Sequence, residues 1–320
     1  MVGSQKFPCH AMEDTLLRND AYPKIAVAVS VYNGKDHLAE QLDSIFAQQN
    51  VSVTVYVRDD GSSDGSVELL QRYTQNGDMI LLQGENRGVV GSFFELLSQI
   101  PDDYEYVALC DQDDVWFPEK LSRAIRVLQE SGGKDPLPAV YCSEYIFCDE
   151  GLHQTGRSHL NCIGVGFYTT LYENKASGNT MVLNRELHKL LNNTDVSRVY
   201  CHDWWIALVA SAVGKLVFDD YASLLYRRTG SNVSPTGMNG LSLLKFRMKT
   251  FLKSSELDKI TEQLRCLSDS HGKQLSHEKQ DTLNLFLSGS RLRKMLFPHR
   301  LRQAPIEEIA LRVLFLLGKL

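Results

Sequence analysis

The stretch Y-V-A-L-C-D-Q-D-D-V-W-F-P-E-K-L, residues 106–121, indicates both the fold class and the position of a functional site. Its apolar run Tyr106–Cys110 is typical of a buried strand and passes directly into the carboxylates of Asp111, Asp113 and Asp114. Because carboxylates this close together repel one another, a fold gains little from clustering them unless a cation offsets their charge. We therefore expect chemistry at this strand end.

Two interpretations of the acidic turn remain open at this point. Mg²⁺ and Mn²⁺ prefer oxygen ligands and are often held by one or two carboxylates, with substrate phosphates in other positions. Open α/β sheets also bind ligands beyond the carboxyl ends of their strands, where this turn lies. The alternative is a solvated turn that caps the helix opened by Pro118, since Asp is favourable near a helix start.

Strands and helices alternate regularly through residues 23–130. Short apolar runs predict strands, and the segments between them carry apolar residues at helical spacing. The four predicted strands are Ile25–Val31, Val51–Val57, Met79–Gln83 and Tyr106–Cys110. This rhythm predicts βαβ units and an α/β fold, Rossmann-like, with a mainly parallel central sheet and helices on both faces.

Beyond Gly132 the rhythm loosens. A helix is predicted at Trp204–Val213, and short strands at Ala139–Phe147, Thr180–Leu183, Lys215–Phe218 and Ser223–Tyr226. We therefore divide the chain into a lead-in (1–22), an α/β domain (23–235) and a basic helical extension (236–320). The α/β domain would comprise a nucleotide-binding half (23–130) and an acceptor-binding half (131–235).

Composition is that of an ordinary soluble protein, with 43% hydrophobic and 23% charged residues. The seven cysteines are scattered and form no C-x-x-C pair, which argues against a disulfide framework or a zinc site. No apolar run approaches the roughly 18–20 residues that a membrane span needs. The first ten residues, M-V-G-S-Q-K-F-P-C-H, contain no signal-peptide core. The expected location is cytoplasmic.

The net charge of −5 hides an asymmetry along the chain. Residues 241–320 contain 15 Lys/Arg against 8 Asp/Glu, a net +7, whereas residues 1–240 carry −12. Apolar and basic residues alternate over 243–253, and the apolar run Ile309–Leu317 lies near the last residue. Such helices lie in the headgroup region of anionic membranes. The alternatives are packing on the catalytic domain or a dimer interface, with lysines extending along apolar surface. No nucleic-acid partner is expected.

Three polar loops follow successive strands, and in a parallel sheet they share one edge. Tyr32 can stack on a base. Asp59 or Asp60 can accept the imide N–H of uracil or thymine. Arg87 offers a guanidinium suited to a phosphate. The alternatives are a capped polar turn at 59–65 and a solvated surface arginine.

Neither of two common nucleotide-binding fingerprints occurs in the chain. No G-x-G-x-x-G follows the first strand, and no G-x-x-x-x-G-K-[ST] is present. A dinucleotide-binding fold and a P-loop NTPase are therefore disfavoured.

Seven motifs in order carry a family resemblance: V-S-V-Y-N-G (29–34), R-D-D-G-S-S-D-G (58–65), N-R-G-V-V-G-S-F (86–93), D-Q-D-D-V-W-F-P-E-K-L (111–121), S-G-N-T-M-V-L-N-R-E-L (177–187), H-D-W-W (202–205) and Y-R-R-T-G-S-N-V (226–233). On these motifs the chain resembles family-2 glycosyltransferases with the GT-A fold over roughly residues 23–235. It is most similar to a rhamnosyltransferase-like subgroup of bacterial surface polysaccharide synthesis.

The resemblance implies a donor side at the carboxyl edge of the sheet. The residues expected to bind the nucleotide sugar are Val31, Tyr32, Asn33, Asp59, Asp60, Arg87, Asp111 and Gln112. Asp113, with Asp111, would hold a divalent cation, Mg²⁺ or Mn²⁺, that bridges the two donor phosphates. Metal-dependent transfer is thus the expectation.

The resemblance also implies an acceptor side and a catalytic base. Gly178, Asn179, Thr180 and Trp204 would line the acceptor side, and Asp203 would deprotonate the acceptor hydroxyl. Taken without the resemblance, Asp203 could equally cap the helix that starts near Trp204.

One position departs from the family pattern. Many relatives read Y-R-Q-H-G, with a metal-binding histidine, where this chain has Thr229 in Y-R-R-T-G. A threonine cannot replace an imidazole strongly as a ligand. Arg227 and Arg228 are therefore expected to share the stabilisation of the diphosphate charge.

The sequence predicts an inverting hexosyltransferase that moves a sugar from dTDP-rhamnose, or next from a UDP-sugar, to a growing surface glycan such as O-antigen, lipopolysaccharide core or capsule. Two rivals are weighed against it. A sugar-phosphate nucleotidyltransferase would carry a glycine-rich loop after the first strand, which residues 30–34 do not supply. A non-enzymatic nucleotide-sugar-binding protein would not need the carboxylate of Asp203.

Overall fold

The computed structural model describes residues 22–75, 77–132, 136–228 and 254–320. Its strands are β1 (Lys24–Val31), β2 (Ser52–Asp59), β3 (Met79–Gln83), β4 (Tyr106–Cys110), β5 (Val115–Trp116), β6 (Ala139–Cys148), β7 (Gln154–Arg157), β8 (Val182–Asn184) and β9 (Lys215–Arg227). Its helices are α1 (Lys35–Phe46), α2 (Ser66–Thr74), α3 (Gly88–Gln99), α4 (Lys120–Gly132), α5 (Phe167–Thr170), α6 (Arg185–Leu191), α7 (His202–Val213), α8 (Ser254–His271), α9 (His277–Ser288), α10 (Arg291–Met295) and α11 (Pro305–Leu316). The predicted boundary at 235/236, Thr229 and the basic-apolar stretch 243–253 lie outside the described residues.

The strands form one sheet in the order β3-β2-β1-β4-β8-β6-β9-β5, with β7 paired to β6. All pairings among β1 to β4 are parallel, as predicted. The second half is mixed, because β8 runs antiparallel between β4 and β6. The short turn Gly178–Thr180 precedes β8, which therefore begins beside the carboxyl end of β4 and runs back along it. The predicted α/β class is confirmed.

The second half corrects several sequence-based boundaries. The two strands expected at 215–218 and 223–226 are one strand, β9, whose register against β6 shifts around Glu144 to accommodate the polar residues between them. Thr180, expected in a strand, ends a 3-10 turn. The strands β5 and β7 were missed, since two residues and an exposed Q-T-G-R segment carry no apolar pattern.

Apolar residues on the two faces of the sheet form two core clusters. Along β1, Ile25, Val27 and Val29 face the cluster that contains α1 and α4. The small residues Ala26 and Ala28 face the cluster that contains α3 and α7. Because side chains alternate along a strand, one sequence serves both layers. The sheet is thus buried on both faces, and polar residues of the site can lie at its carboxyl edge.

The described C-terminal helices complete the second cluster. The ring of Tyr172 lies 5.3 Å from that of Phe286 on α9 and 5.2 Å from that of Phe315 on α11. The backbone N–H of Gln303 donates to Glu173 at 2.6 Å, and Gln303 Oε1 accepts from Cys162 and Ile163. The helices therefore pack on the α/β domain. In the described part of the chain, no helix combines the length and apolarity that crossing a membrane requires.

Candidate active site

The loops after β1, β2 and β4 are joined to one another at the carboxyl edge of the sheet. The Asp60 N–H donates to the carbonyl of Val31 at 2.7 Å. Asn33 links to the second loop, because its N–H donates to Ser62 Oγ at 2.9 Å and its Oδ1 accepts from the Ser63 N–H. The three strand ends thus present one continuous surface.

A reciprocal amide pair fixes the position of Tyr32. Gln112 Oε1 accepts from the Tyr32 N–H at 2.8 Å, and Gln112 Nε2 donates to the Tyr32 carbonyl at 3.2 Å. Gly34 makes this possible, since a Cβ there would lie 2.4 Å from Gln112 Oε1. The Tyr32 ring remains 49% exposed, as a stacking surface requires.

The two adjacent carboxylates of the second loop have different environments. Asp60 is buried and ion-paired with Arg58, and its oxygens accept the N–H groups of Arg87 (2.9 Å) and Gly88 (3.0 Å). Asp59 is equally buried, and its Oδ2 accepts from the amides of Gly61 and Ser62. Among the residues that the structure describes, Asp59 Oδ1 has no hydrogen-bond partner. Because buried polar atoms are almost always paired, this oxygen is the one suited to a ligand.

Arg87 lies at the rim of this surface. Its side chain is 62% exposed, and its guanidinium pairs with Glu95 at 3.1 Å. An exposed ion pair of this kind is worth little, so the guanidinium can exchange Glu95 for an anionic ligand at small cost.

Asp111 and Asp113 form an acidic pair beside the proposed base. Burial and the charges of Asp113 and Asp203 raise the pKa of Asp111 to about 7. Burial also raises the pKa of Asp113, against the opposing influence of His37. Asp111 therefore lies within electrostatic reach of Asp113 and of Asp203, although Asp203 comes from a distant part of the sequence.

This pair fits a hard divalent cation that takes its other ligands from phosphates and water. A bound cation would offset the negative charge of these crowded carboxylates and so lower their raised pKa values. Within the residues that the structure describes, no group of three or more His, Cys, Asp or Glu side chains is placed to hold a metal ion. Asp111 and Asp113 would thus need the substrate to complete the site.

Asp114, the third carboxylate of the turn, has a structural role. It is 1% exposed and accepts from Asn179 Nδ2 at 2.5 Å and from the Arg227 N–H at 3.3 Å. Burial and the charges of Asp111 and Asp113 raise its pKa. In the acidic turn, Asp111 and Asp113 are partly exposed, whereas Asp114 is buried.

Asp203 lies in the first turn of α7, against Gly178. A Cβ at Gly178 would lie 3.3 Å from the Cβ of Asp203 and 2.9 Å from Nε2 of His202. Asp203 Oδ1 accepts from the Trp204 N–H at 2.7 Å, so it also serves the helix start. His202 is buried and stacks on Phe93 with ring centroids 4.2 Å apart. Burial lowers its pKa, although Asp203 opposes this, which favours the neutral imidazole.

The other residues predicted for the acceptor side are buried and have partners. Asn179 donates to Asp114, and Thr180 Oγ1 accepts from the Ser143 N–H at 3.2 Å. The Trp204 indole N–H donates to the Thr170 carbonyl at 2.6 Å. These contacts fix the positions of Asn179, Thr180 and Trp204. Direct contact of these residues with an acceptor stays a prediction.

Arg227 is buried and makes several contacts with other parts of the protein. It is 1% exposed and its guanidinium pairs with Glu40 at 2.5 Å, while Nε donates to the Asp113 carbonyl at 3.0 Å. The Arg228 guanidinium lies over the Phe147 ring, 4.4 Å from its centroid. Arg227 thus anchors the carbonyl of a proposed metal ligand, and a diphosphate contact by either arginine remains a prediction.

Two partners at this edge were not predicted as site residues: Arg58, which pairs with Asp60, and Glu40, which pairs with Arg227. The position of Arg58 near the carboxyl end of β2, at the start of the motif R-D-D-G-S-S-D-G (58–65), was the available signal for this residue. Glu40 lies on the face of α1 where polar residues are ordinary, so its sequence position gave no signal of a role at the site.

The glycosyl transferase family 2 model matches residues 26–191, which include every strand end described above up to β8. The chain belongs to glycosyl transferase family 2. It is 25% identical over 225 residues to the dTDP-rhamnosyl transferase RfbG of Shigella flexneri, covering 64% of this chain and 75% of that protein. It is also 25% identical over 242 residues to an uncharacterised glycosyltransferase of Rickettsia typhi, covering 74% of each.

Solved structures support the same fold for this family-2 glycosyltransferase. TarS residues 1–349 of S. aureus, in complex with UDP, superimpose with a TM-score of 0.56 at 18% identity, over 92% of this chain and 79% of that one. The mannosyltransferase PcManGT of Pyrobaculum calidifontis, in complex with GDP-Man and Mn²⁺, gives 0.50 at 16% identity, over 93% and 86%. The predicted GT-A fold is confirmed.

Proposed function

We propose that this family-2 glycosyltransferase transfers a sugar, with inversion, from a nucleoside-diphosphate donor to an acceptor hydroxyl. The observation that supports the proposal most directly is the meeting of two acidic segments. Asp111 and Asp113 follow β4, and Asp203 begins α7, yet the charge of Asp203 contributes to the raised pKa of Asp111. This influence of Asp203 on Asp111 supports a single displacement in which one acidic segment serves the diphosphate and the other serves as the base.

The donor side supports a pyrimidine nucleotide. The unpartnered Asp59 Oδ1 can accept the imide N–H of thymine or uracil, and the exposed Tyr32 ring can stack on the base. Similarity to a dTDP-rhamnosyl transferase favours dTDP-rhamnose as the donor, with a UDP-sugar next. The acceptor we propose is a growing surface glycan.

The reaction follows from the proposed roles. Asp203 takes the proton from the acceptor hydroxyl, and the oxygen attacks the anomeric carbon from the face opposite the diphosphate. The bond from that carbon to the diphosphate oxygen breaks, and the electron pair leaves with the nucleoside diphosphate. General-base assistance contributes about 10²–10⁴-fold in such reactions.

The charge that develops on the leaving diphosphate needs its own stabilisation. A divalent cation held by Asp111 and Asp113 would supply it as a Lewis acid. Arg87, at the rim of the same edge, can add a guanidinium to a phosphate oxygen. Arg227 holds the Asp113 backbone and so helps to orient that carboxylate.

Asp203→Asn tests the base. The amide keeps the size of the side chain and an oxygen for the Trp204 N–H, but it cannot take a proton. We expect kcat to fall by about 10²–10⁴-fold, while donor affinity and melting temperature change little. Asp195→Asn is the matched control. Among the described residues, the Asp195 carboxylate accepts hydrogen bonds only from the N–H and the hydroxyl of Ser197, two positions along the chain. Near-normal transfer by a folded Asp203→Asn enzyme would refute the assignment.

Asp113→Asn tests the metal. It should lower turnover severely and abolish the rise in melting temperature that Mn²⁺ and the nucleoside diphosphate together give the parent protein. EDTA should reproduce both losses in the parent. Full activity in EDTA would show that the arginines alone carry the leaving-group charge.

A further inference from the structure

We propose that helices α10 and α11 form a docking face for an anionic lipid surface. This inference rests on burial and charge at the C-terminal helices and does not depend on the reaction proposed above. It specifies which part of the basic extension makes the membrane contact.

The inner face of α11 is fully engaged with the protein. Leu311 and Phe315 are buried in the core cluster, where Phe315 lies 5.4 Å from the Phe286 ring. Glu307 Oε2 pairs with Arg302 at 2.9 Å, and Glu308 Oε1 accepts from Arg312 Nε at 2.7 Å. The position of the helix is therefore fixed by apolar packing and two buried carboxylates.

The outer face of α11 is also apolar, although it faces solvent. A helix of a soluble protein ordinarily carries polar residues on the face opposite the core. Here large aliphatic side chains recur at helical spacing with exposures between 48% and 64%: Ile306, Ile309, Val313, Leu316 and Leu317. Single exposed apolar residues are normal, but a continuous stripe marks an interaction surface.

α10 runs antiparallel beside α11 and extends this surface. Arg312 donates to the carbonyl oxygens of Met295 and Phe297, at the end of α10. At the other end, the Arg291 guanidinium lies against Gly318, where a Cβ would be 2.3 Å from its Cζ. On α10, Leu292 and Leu296 are 56% and 63% exposed.

The charge on this face has one sign. Residues 289–320 contain seven Lys and Arg but only two acidic side chains, Glu307 and Glu308, and both of these are buried in ion pairs. Arg291, Arg293 and Lys319 are exposed. The outer surface of these helices thus combines aliphatic and cationic groups with no exposed carboxylate side chain.

This combination favours a lipid surface over a second copy of the chain. A twofold interface brings the same patch onto itself, so Arg291 and Arg293 would face like charges. Anionic headgroups instead complement these cations, while the aliphatic side chains enter the boundary between headgroups and acyl chains. A helix lying in this way needs no membrane-spanning length.

The test is flotation of the full-length protein with vesicles of phosphatidylcholine, with and without phosphatidylglycerol. Binding should require phosphatidylglycerol and weaken as salt screens the charges. Ile309→Glu with Val313→Glu should reduce bound protein at least tenfold, and Arg291→Glu with Arg293→Glu should do the same. Both variants substitute exposed side chains, so melting temperature should stay near the parent value.

Matched controls carry the same substitutions on other exposed residues. Ile80→Glu with Leu137→Glu controls for the apolar pair, and Lys24→Glu with Lys189→Glu for the charge pair. Both should bind vesicles as the parent does. Parent-like binding by the α11 variant would assign lipid contact to another segment, and absence of parent binding would remove the contact altogether. Either result overturns the proposal, as would a dimer in sedimentation velocity that Ile309→Glu dissociates.

Discussion

Asp59 and Asp60 are neighbours in sequence and equally buried, but their partners assign them different tasks. Asp60 satisfies Arg58 and two amides of the next loop, so removing its charge leaves a buried guanidinium without its carboxylate. Breaking a buried ion pair in this way is strongly destabilising. Asp59 keeps one oxygen without a protein partner. We therefore propose that Asp60 serves stability and that Asp59 serves nucleotide binding.

Single substitutions at the two positions should therefore give opposite results. Asp59→Asn can keep its oxygen on the Gly61 and Ser62 amides and present an NH₂ group to the base, which has a donor there. We expect nucleotide affinity to fall about 10–100-fold, since a hydrogen bond to a charged group contributes about 1.5–3 kcal/mol. Asp60→Asn should lower the melting temperature more than Asp59→Asn does. Calorimetric titration with dTDP and thermal unfolding measure the two effects, and a reversed pattern would contradict the assignment.

At the scale of elements, the turn Gly178–Thr180 fits directly against the start of α7. The turn precedes β8, which is inserted between β4 and β6, and this insertion brings the wall of the site to Asp203. The φ of Gly178 lies outside the left-handed region, so its small size, not its backbone freedom, is what the contact requires.

Gly178→Ala should therefore disturb catalysis more than binding. The added Cβ would lie 2.9 Å from His202 Nε2 and 3.3 Å from the Asp203 Cβ, so the start of α7 must shift. Since small misplacements of catalytic groups cost up to about 10²-fold, we expect kcat to drop while the affinity for the nucleoside diphosphate is unchanged. Gly166→Ala is the control, because a Cβ there meets nothing within 4 Å. Equal kcat values for the two variants would argue against a tight contact.

Sequence patterns predicted the elements that have strong apolar periodicity. The four strands of the first half and the helix at 202–213 follow from buried β-branched runs and helical spacing. The path of β8, the continuity of β9 and the partners of Arg227 depend on which strand ends meet in space. A local pattern cannot encode such contacts: Glu40 lies 187 positions from Arg227 and nevertheless pairs with it.

On the scale of the whole molecule, the C-terminal helices and the α/β domain share one core. Phe286 on α9 is 2% exposed and contacts Tyr172, Phe297 and Phe315. Elements with a shared core unfold together, because separating them exposes the same apolar surface. The described C-terminal helices, residues 254–320, are thus part of the structural unit that carries the candidate active site.

Phe286→Ala should test whether the C-terminal helices and the α/β domain unfold together. Loss of a buried ring costs about 3–5 kcal/mol, and the loss should appear as a single unfolding transition shifted to lower denaturant concentration. Leu292→Ala, on the exposed side of α10, should leave the midpoint nearly unchanged. Two separate transitions in the Phe286→Ala protein, seen by fluorescence and circular dichroism, would indicate independent units.

The contacts of Asp60 with Arg58, Arg87 and Gly88 also have a consequence for engineering the donor specificity of this enzyme. Hydrogen bonds join Arg58, the turn at 59–62 and the amides of Arg87 and Gly88, although one helix (α2) and one strand (β3) separate them along the chain. A loop grafted from another family member at 59–65 alone would inherit a foreign geometry at residues 86–88. The smallest transplant that keeps these contacts is therefore an exchange of both loops together with residue 58. We expect this exchange to preserve the fold and to test whether the two loops select the base of the donor.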